Sequence, residues 1–276
     1  MGIDGFNTFN VSLNLDVGSL TYRGLRITRN PEGGYRIRGS LHEFKNNGEH
    51  NADDYFMSDF KNTLNQLYAD IGLNADVTPV QGFEFGVNIK LPINPNKVLE
   101  RIILHKSRIA AVRAKNYIEF QYEQYSVKIY NKSELANIEP YNSENILRVE
   151  IKVNKMTYVR EKGVHCTVLS DLLEIHSQKR MEQILIEAIQ DCLFVDFTTK
   201  EIKTLSTENQ IKCAKYANPM YWSDLHNMGS RNTFSRYRKN CVMLSNEFSK
   251  STMKADIINL IREKCAELRD IPEQDL

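Results

Sequence analysis

No run of apolar residues approaches the ~20 that a membrane-spanning helix needs. The opening stretch MGIDGFNTFNVSLNLD lacks the charged, hydrophobic and small-residue zones of a secretory signal. A cytoplasmic protein with no membrane partner is therefore expected. The five cysteines (Cys166, Cys192, Cys213, Cys241, Cys265) form an odd set without a C-x-x-C pair, which disfavours a disulfide framework and a zinc knuckle alike. Free, mostly structural thiols are expected. Six histidines occur without H-E-x-x-H or H-x-H, so a zinc hydrolase is a poor candidate, and no Walker-type glycine loop is present. Net charge is also scarce: 36 Lys+Arg face 35 Asp+Glu. Any polyanion must be met by local clusters rather than by a global basic field.

What is present is the composition of a folded chain. Over 276 residues, 41% are hydrophobic and 26% charged, which excludes wholesale disorder, a collagen-like repeat and a coiled-coil rod. The first ~155 residues alternate apolar and polar positions between Gly, Asn and Pro, the pattern of half-buried strands. FNVSLNLD, LTYRGLRITR and GYRIRGSLHEF read as strands, the last two joined by NPEGG. Residues 53–71 switch to helical spacing, with Phe56, Phe60, Leu64 and Leu67 on one side and an acidic first turn. A second unit follows: the strand GFEFGVNIKL, the short helix NKVLERIILHKS, then IEFQYEQYSVKIYNK and NILRVEIKVNKM as strands flanking a turn-rich loop. Two β-β-α-like units predict an α+β domain over residues 1–157, an antiparallel sheet with helices packed on one face. An all-α appendage is expected over 158–276. It contains TVLSDLLEIHSQKRMEQILIEAIQDCL, with Ser170-Asp171 as an internal cap, and the final helix ADIINLIREKCAEL.

Side chains alternate across a strand, so placing each apolar parity in the core identifies what shares the opposite face. Phe83, Phe85, Val87, Ile89 and Leu91 leave Glu84, Gly86, Asn88 and Lys90. Tyr125, Val127 and Ile129 leave Ser126, Lys128, Tyr130 and Lys132. Leu147, Val149, Ile151 and Val153 leave Arg148, Glu150 and Lys152. One sheet would thus gather Glu84, Asn88, Lys128, Tyr130, Arg148 and Glu150 on its helix-free surface. Carboxylates with an amide oxygen or a histidine supply hard ligands for Mg²⁺ or Mn²⁺, cations hold phosphate, and a phenol is a nucleophile. The same inventory also fits a solvated sheet face of cross-strand ion pairs. In the preceding strand Arg36, Arg38, Ser40 and His42 share a parity, and His50 and Asn51 follow in the next loop. Residues 210–250 interleave Lys212, Lys215, Arg231, Arg236, Arg238, Lys239 and Lys250 with Tyr216, Tyr221, Trp222, Phe234 and Tyr237. Such rings either stack on bases or seal a helix against the core.

The ordered series R-G-S-L-H…N-G-E-H-N, E-F-G-V-N-I…P-N, V-K-I-Y-N-K, I-L-R-V-E-I-K and N-P-x-Y-W…R-N-x-F-x-R-Y resembles the replication initiation factors of filamentous phages, the gene II protein type, and of rolling-circle plasmids. The similarity spans roughly residues 30–240. It implies a metal-dependent DNA strand transferase that nicks one strand of a replication origin with a tyrosine, stays joined to the 5′ phosphate and later rejoins the ends. The matching tyrosine is Tyr130 in Val127–Lys132, the Arg-x-Glu strand is Arg148-Val149-Glu150, and the histidine loop is similar to Gly48-Glu49-His50-Asn51. Where relatives place an Arg-x-Asp, this chain has Glu84-Phe85-Gly86-Val87-Asn88.

On that resemblance Lys128 and Lys132 favour the phenolate of Tyr130, whose ordinary pKa is ~10. Arg148 clamps the phosphate, and Glu150, with Glu84 or His50, holds Mg²⁺ or Mn²⁺. Arg36, Arg38, Arg231, Arg236, Arg238 and Lys239 are the expected DNA contacts. The implied partners are single-stranded and duplex origin DNA in a bacterial host, with a host helicase and a homodimer as further associations that the resemblance allows. A catalytically inactive origin-binding regulator is the alternative, favoured by glycine at position 86.

Overall fold

The computed structural model describes residues 9–11, 18–31, 33–195, 197, 200–248 and 253–269. The part of FNVSLNLD beyond Val11, the NPEGG turn at Glu32, and Lys250 lie wholly or partly outside them. Four strands, β1 (Phe9–Val11), β2 (Ser19–Tyr22), β3 (Leu25–Arg29) and β4 (Tyr35–Arg38), form an antiparallel sheet in the order β1-β4-β3-β2. Arg23 and Gly24 both take positive φ, the geometry of a two-residue hairpin turn between twisted strands. The expected continuation of β4 through Ser40 and His42 does not form. Gly39 adopts φ +145°, where an added β-carbon would lie 2.7 Å from the Gly24 carbonyl oxygen. Ser40 then accepts from the Glu43 amide at 3.1 Å, capping helix α1 (Leu41–Lys45). His42 is therefore a buried helical residue and does not extend the Arg36/Arg38 face.

Helix α2 (Met57–Ile71) starts four residues later than its periodicity suggested. Asp59 accepts from the Phe56 amide at 3.0 Å, and Gly72, in the left-handed region, ends the helix. Its buried stripe is Met57, Phe60, Thr63, Leu64 and Leu67.

Along the middle of the chain come β5 (Glu84–Lys90), α3 (Asn96–Leu99), β6 (Ile102–His105), β7 (Val112–Arg113), β8 (Tyr117–Gln121), β9 (Tyr125–Asn131), α4 (Lys132–Ala136) and β10 (Ile146–Val153). Two expectations are corrected here. NKVLERIILHKS is helical only over α3, and its second half is β6, buried at every position. A short, fully buried strand has no alternation by which periodicity could distinguish it from a helix. Residues 117–131 are two strands rather than one, closed by a Tyr122 amide that donates to the Tyr125 carbonyl at 2.8 Å.

The central sheet is antiparallel in the order β5-β10-β9-β8-β7. Its register places Val149 opposite Val87 and Ile129, and Ile151 opposite Phe85 and Val127. These residues form one apolar face, each buried side chain contributing ~1.5–3 kcal/mol. The other face inherits the polar parity.

The remaining elements are α5 (Thr157–Glu161), a 3-10 turn (Leu169–Leu173), α6 (Ile175–Gln190), β11 (Cys192–Phe194), a second such turn (Lys200–Thr204), α7 (Thr207–Tyr216), α8 (Pro219–Met228), α9 (Arg231–Phe248) and α10 (Met253–Leu268). Asp171 accepts from the Thr167 and Val168 amides at 2.7 and 2.9 Å, so the expected cap serves the first turn rather than the interior of one long helix. The fold is α+β with a helical C-terminal region. Its main core runs across the division expected at residue 157: Met181, Leu185 and Ile189 of α6 and Ile257, Ile261 and Cys265 of α10 join the apolar side of the sheet. A smaller core gathers Ile103 and Leu104 of β6 with Tyr216, Trp222, Phe234 and Cys241. Those aromatics seal helices, and the Trp222 indole donates to the Tyr216 carbonyl at 2.9 Å. All five cysteines are buried thiols. Among the described residues, no helix is long and apolar enough to cross a membrane.

Candidate functional site

Strand register brings the expected side chains together on the polar face. Arg148 pairs with Asn88 on one side and Tyr130 on the other, while Glu150 pairs with Gly86 and Lys128. The Lys128 ammonium donates to Glu84 Oε2 and Glu150 Oε1, both at 2.9 Å. Arg148 Nε donates to Glu150 Oε2 at 2.8 Å, and its Nη1 donates to Asn88 Oδ1 at 3.0 Å. The Tyr130 hydroxyl donates to the same Glu150 Oε2 at 3.3 Å. Arg148 is 2% exposed and Glu150 4%, whereas Lys128 and Tyr130 are half-buried, so the cluster is approached from the β9 side. There Tyr117 lies with its ring 5.7 Å from that of Tyr130 and donates to Glu119 Oε2 at 2.9 Å.

Burial and these contacts push the two carboxyls apart. Glu84 is raised, first by burial and then by the charge of Glu150, with Lys128 opposing. For Glu150 burial also acts upward, but Arg148 and Lys128 outweigh it and hold the group below the usual carboxylate range. Lys128 is desolvated yet raised, because Glu150 and Glu84 flank it. Two carboxyls in one site, one ionised and one with raised proton affinity, make an acid–base pair. Tyr117 is pushed up by burial and by its bond to Glu119, and stays a neutral phenol.

His50 belongs to a second cluster. Asp53 Oδ1 accepts from Asn46 Nδ2 at 2.7 Å, lies 2.6 Å from His42 Nε2 and is 3.6 Å from His50 Nδ1; Asp53 Oδ2 accepts from Lys45 at 3.0 Å. Burial would raise Asp53, but His42, Lys45 and Asn46 hold it well below the carboxylate range. Lys132 does not share the Lys128/Tyr130 face as expected. The strand ends where Asn131 caps α4, and the buried Lys132 donates to Asn51 Oδ1 at 2.7 Å. It thereby ties the His50–Asn51 loop to the sheet. Asn88 Nδ2, 3.5 Å from the Asp53 carbonyl oxygen, is a long second link.

The chain matches no family model, no curated protein and no solved structure.

A divalent ion needs several oxygen or nitrogen donors converging on one point. Glu84 and Glu150 are already bridged by Lys128, and His50 lies with Asp53, so these three do not form a ligand set. Among the described residues, three acidic, histidine or cysteine side chains come within 4.8 Å of one another only at His165, Asp171 and Glu174. That cluster was not anticipated, and Asp171 already serves there as a backbone cap. The residues expected to hold Mg²⁺ or Mn²⁺ thus do not fit it, and no chemical step is assigned to a metal.

The expected DNA contacts sit on other elements than the cluster, on β4 and on α9. Arg38 is exposed and Arg36 half-buried on β4, where register sets Arg38 opposite Arg26 and Arg36 opposite Thr28. Arg26 was missed, although LTYRGLRITR alternates Leu25 and Ile27 inward with Arg26 and Thr28 outward. Facing arginines repel unless an anion joins them. On α9, Arg231, Arg236 and Lys239 are exposed and Arg238 is half-buried. Tyr125, the nearest rival nucleophile, is buried, accepts from the Lys106 ammonium at 2.9 Å, and stacks between Tyr122 and Tyr158.

Proposed function

We propose that the protein is a DNA strand transferase of the rolling-circle initiator kind, nicking and rejoining single-stranded origin DNA through Tyr130. The observation carrying this reading is the convergence of one phenol, two cations and a carboxyl pair from three strands. In the forward step the Tyr130 oxygen attacks phosphorus and forms an ester with the 5′ phosphate while the bond from phosphorus to the 3′ oxygen breaks. The phenolic proton passes to Glu150. The leaving 3′ oxygen takes a proton from Glu84, the carboxyl of higher proton affinity. Rejoining reverses both transfers and needs no nucleotide.

Lys128 and Arg148 weaken Glu150 as a base, so most of the acceleration falls to positioning and to positive charge around the phosphorane. The duplex flanking the nick is met by Arg36, Arg38 and the α9 residues Arg231, Arg236, Arg238 and Lys239, in the cytoplasm of a bacterial host. A single-stranded oligonucleotide pool labelled at the 3′ end tests the reading. A denaturation-resistant protein–DNA adduct is expected from the wild type and none from Tyr130→Phe, with binding retained; undiminished adduct in the variant refutes it.

A second reading, an origin-binding regulator without cleavage, is favoured by one observation: both oxygens of Glu150 are occupied by partners within the chain, and Gly86 brings no further acid. A shifted band without cleavage, with or without Mn²⁺, supports this alternative.

A further inference from the structure

A cavity of about 350 Å³ lies among β11, α9 and the start of α10, with Arg101, Lys106, Arg238 and Lys254 in its wall and Asp191 as its carboxylate. Four cations line it against one acid, and three of them, Arg101, Arg238 and Lys254, are partly withdrawn from solvent, where an anion would offset their charge. Lys254 and Lys106 both bond neutral oxygens here. Lys254 donates to the Cys192 carbonyl at 2.8 Å and to the Gln190 carbonyl. Lys106 bonds the Tyr125 hydroxyl at 2.9 Å and reaches Asp191 only at 3.6 Å. Arg101 Nη1 rests on the Met253 sulfur at 3.5 Å. Arg238 Nε is buried and has no hydrogen-bond partner among the described residues. Burial lowers the pKa of Lys254, and the nearby charge of Asp191, acting upward, does not offset it.

We propose that this cavity binds a phosphate group. Its size suits a mononucleotide or a backbone phosphodiester with its sugar. Guanidinium forks beside point-charge ammonium groups are the donor set that tetrahedral phosphate oxygens take. The side chains of Asn246 and Gln190 at the rim add neutral polar groups for the rest of the ligand. The proposal does not depend on Tyr130, and it adds Arg101, Lys106 and Lys254 to the basic side chains recognised in the sequence.

Calorimetric titration of the full chain at low salt tests it, using inorganic phosphate, dAMP and a 15-nucleotide single strand as separate probes. Arg238→Gln and Lys106→Gln are the variants, each checked by thermal melting; Lys106 is half-exposed and decides alone if Arg238→Gln unfolds. Binding of phosphate and dAMP, weakened roughly tenfold or more in the variants, supports a small-molecule ligand. Binding of the oligonucleotide alone, weakened in the same variants, supports a backbone phosphate. No binding of any probe, or affinities equal in wild type and variants, overturns the proposal. Strand cleavage is scored separately, so failure here and failure of the transferase reading are distinct results.

Discussion

Gly86 stands directly opposite Glu150 in the β5–β10 register, and a β-carbon at position 86 would lie 2.5 Å from the Val149 carbonyl oxygen and 3.1 Å from Glu150 Cβ. The resemblance would put an acid in this strand, yet the backbone approach leaves no room for its first carbon. Gly86→Asp is therefore expected to force the two strands apart rather than to create a metal ligand, at a cost of ~2–4 kcal/mol. Urea denaturation reads the loss, and Mn²⁺ should not restore it. A Gly86→Asp protein as stable as wild type would show that the pair is looser than described.

Lys128 occupies the position between two carboxylates that a divalent cation would otherwise take. Removing it leaves Glu84 and Glu150 buried side by side, and breaking a buried ion pair from one side costs ~3–5 kcal/mol. Lys128→Ala should melt well below wild type at neutral pH. Because the truncation also opens a recess between two oxygen donors, Mn²⁺ should raise the melting temperature of the variant and leave that of wild type unchanged. Equal stabilisation of both proteins would place the ion elsewhere.

The raised proton affinity of Glu84 has a definite sign in stability. Between its ordinary pKa of 4.5 and its higher value in the fold, the folded state holds more protons than the unfolded one. This group's contribution is therefore fully present at and below the ordinary range and is lost as pH climbs toward neutrality. Glu84→Gln imitates the protonated form and should flatten that fall, leaving the variant no less stable than wild type at pH ~7. Denaturation midpoints across the acid-to-neutral range measure it. A wild-type curve that rises through this window with the same slope as the variant would contradict the assignment.

The central sheet was legible because period-2 alternation in β5, β9 and β10 leaves one register that buries Val87, Ile129 and Val149 together, and that register also fixes Lys128, Tyr130, Arg148 and Glu150. The errors arose where alternation stops. His42 was assigned to a strand because a single positive φ at Gly39 carries no periodic signal. Lys132 was assigned to the sheet face because the Asn131 cap is a local hydrogen bond, not a pattern. Strand β6 was read as a helix because burial at every position erases the period. Only the family likeness places His50 beside Glu150, whereas its partners Asn46 and Asp53 lie at the C-terminal end of α1 and in the segment ahead of α2, whose acidic residues read in the sequence as a first helical turn.

Asp53 joins α1 to the loop that Lys132 and Asn88 reach, so its charge should be felt in stability and in the order of that loop. Its folded-state pKa lies below the ordinary 3.8 because His42, Lys45 and Asn46 outweigh burial. The stabilisation is therefore fully present above the ordinary value and is lost as pH falls below it. Asp53→Asn keeps the shape and removes the charge, leaving Lys45 with Asp59 at 3.1 Å as its remaining ion pair. The substitution should cost ~2–3 kcal/mol at neutral pH. The gap to wild type should narrow as pH falls below the ordinary carboxylate value, because the unfolded chain takes up a proton there before Asp53 does in the fold. Denaturation midpoints at neutral and acid pH give the difference, and amide exchange at residues 46–53 should quicken in the variant more than exchange in β9 or β10. A constant gap across pH would assign the cost to packing and remove Asp53 from the electrostatic core of the loop.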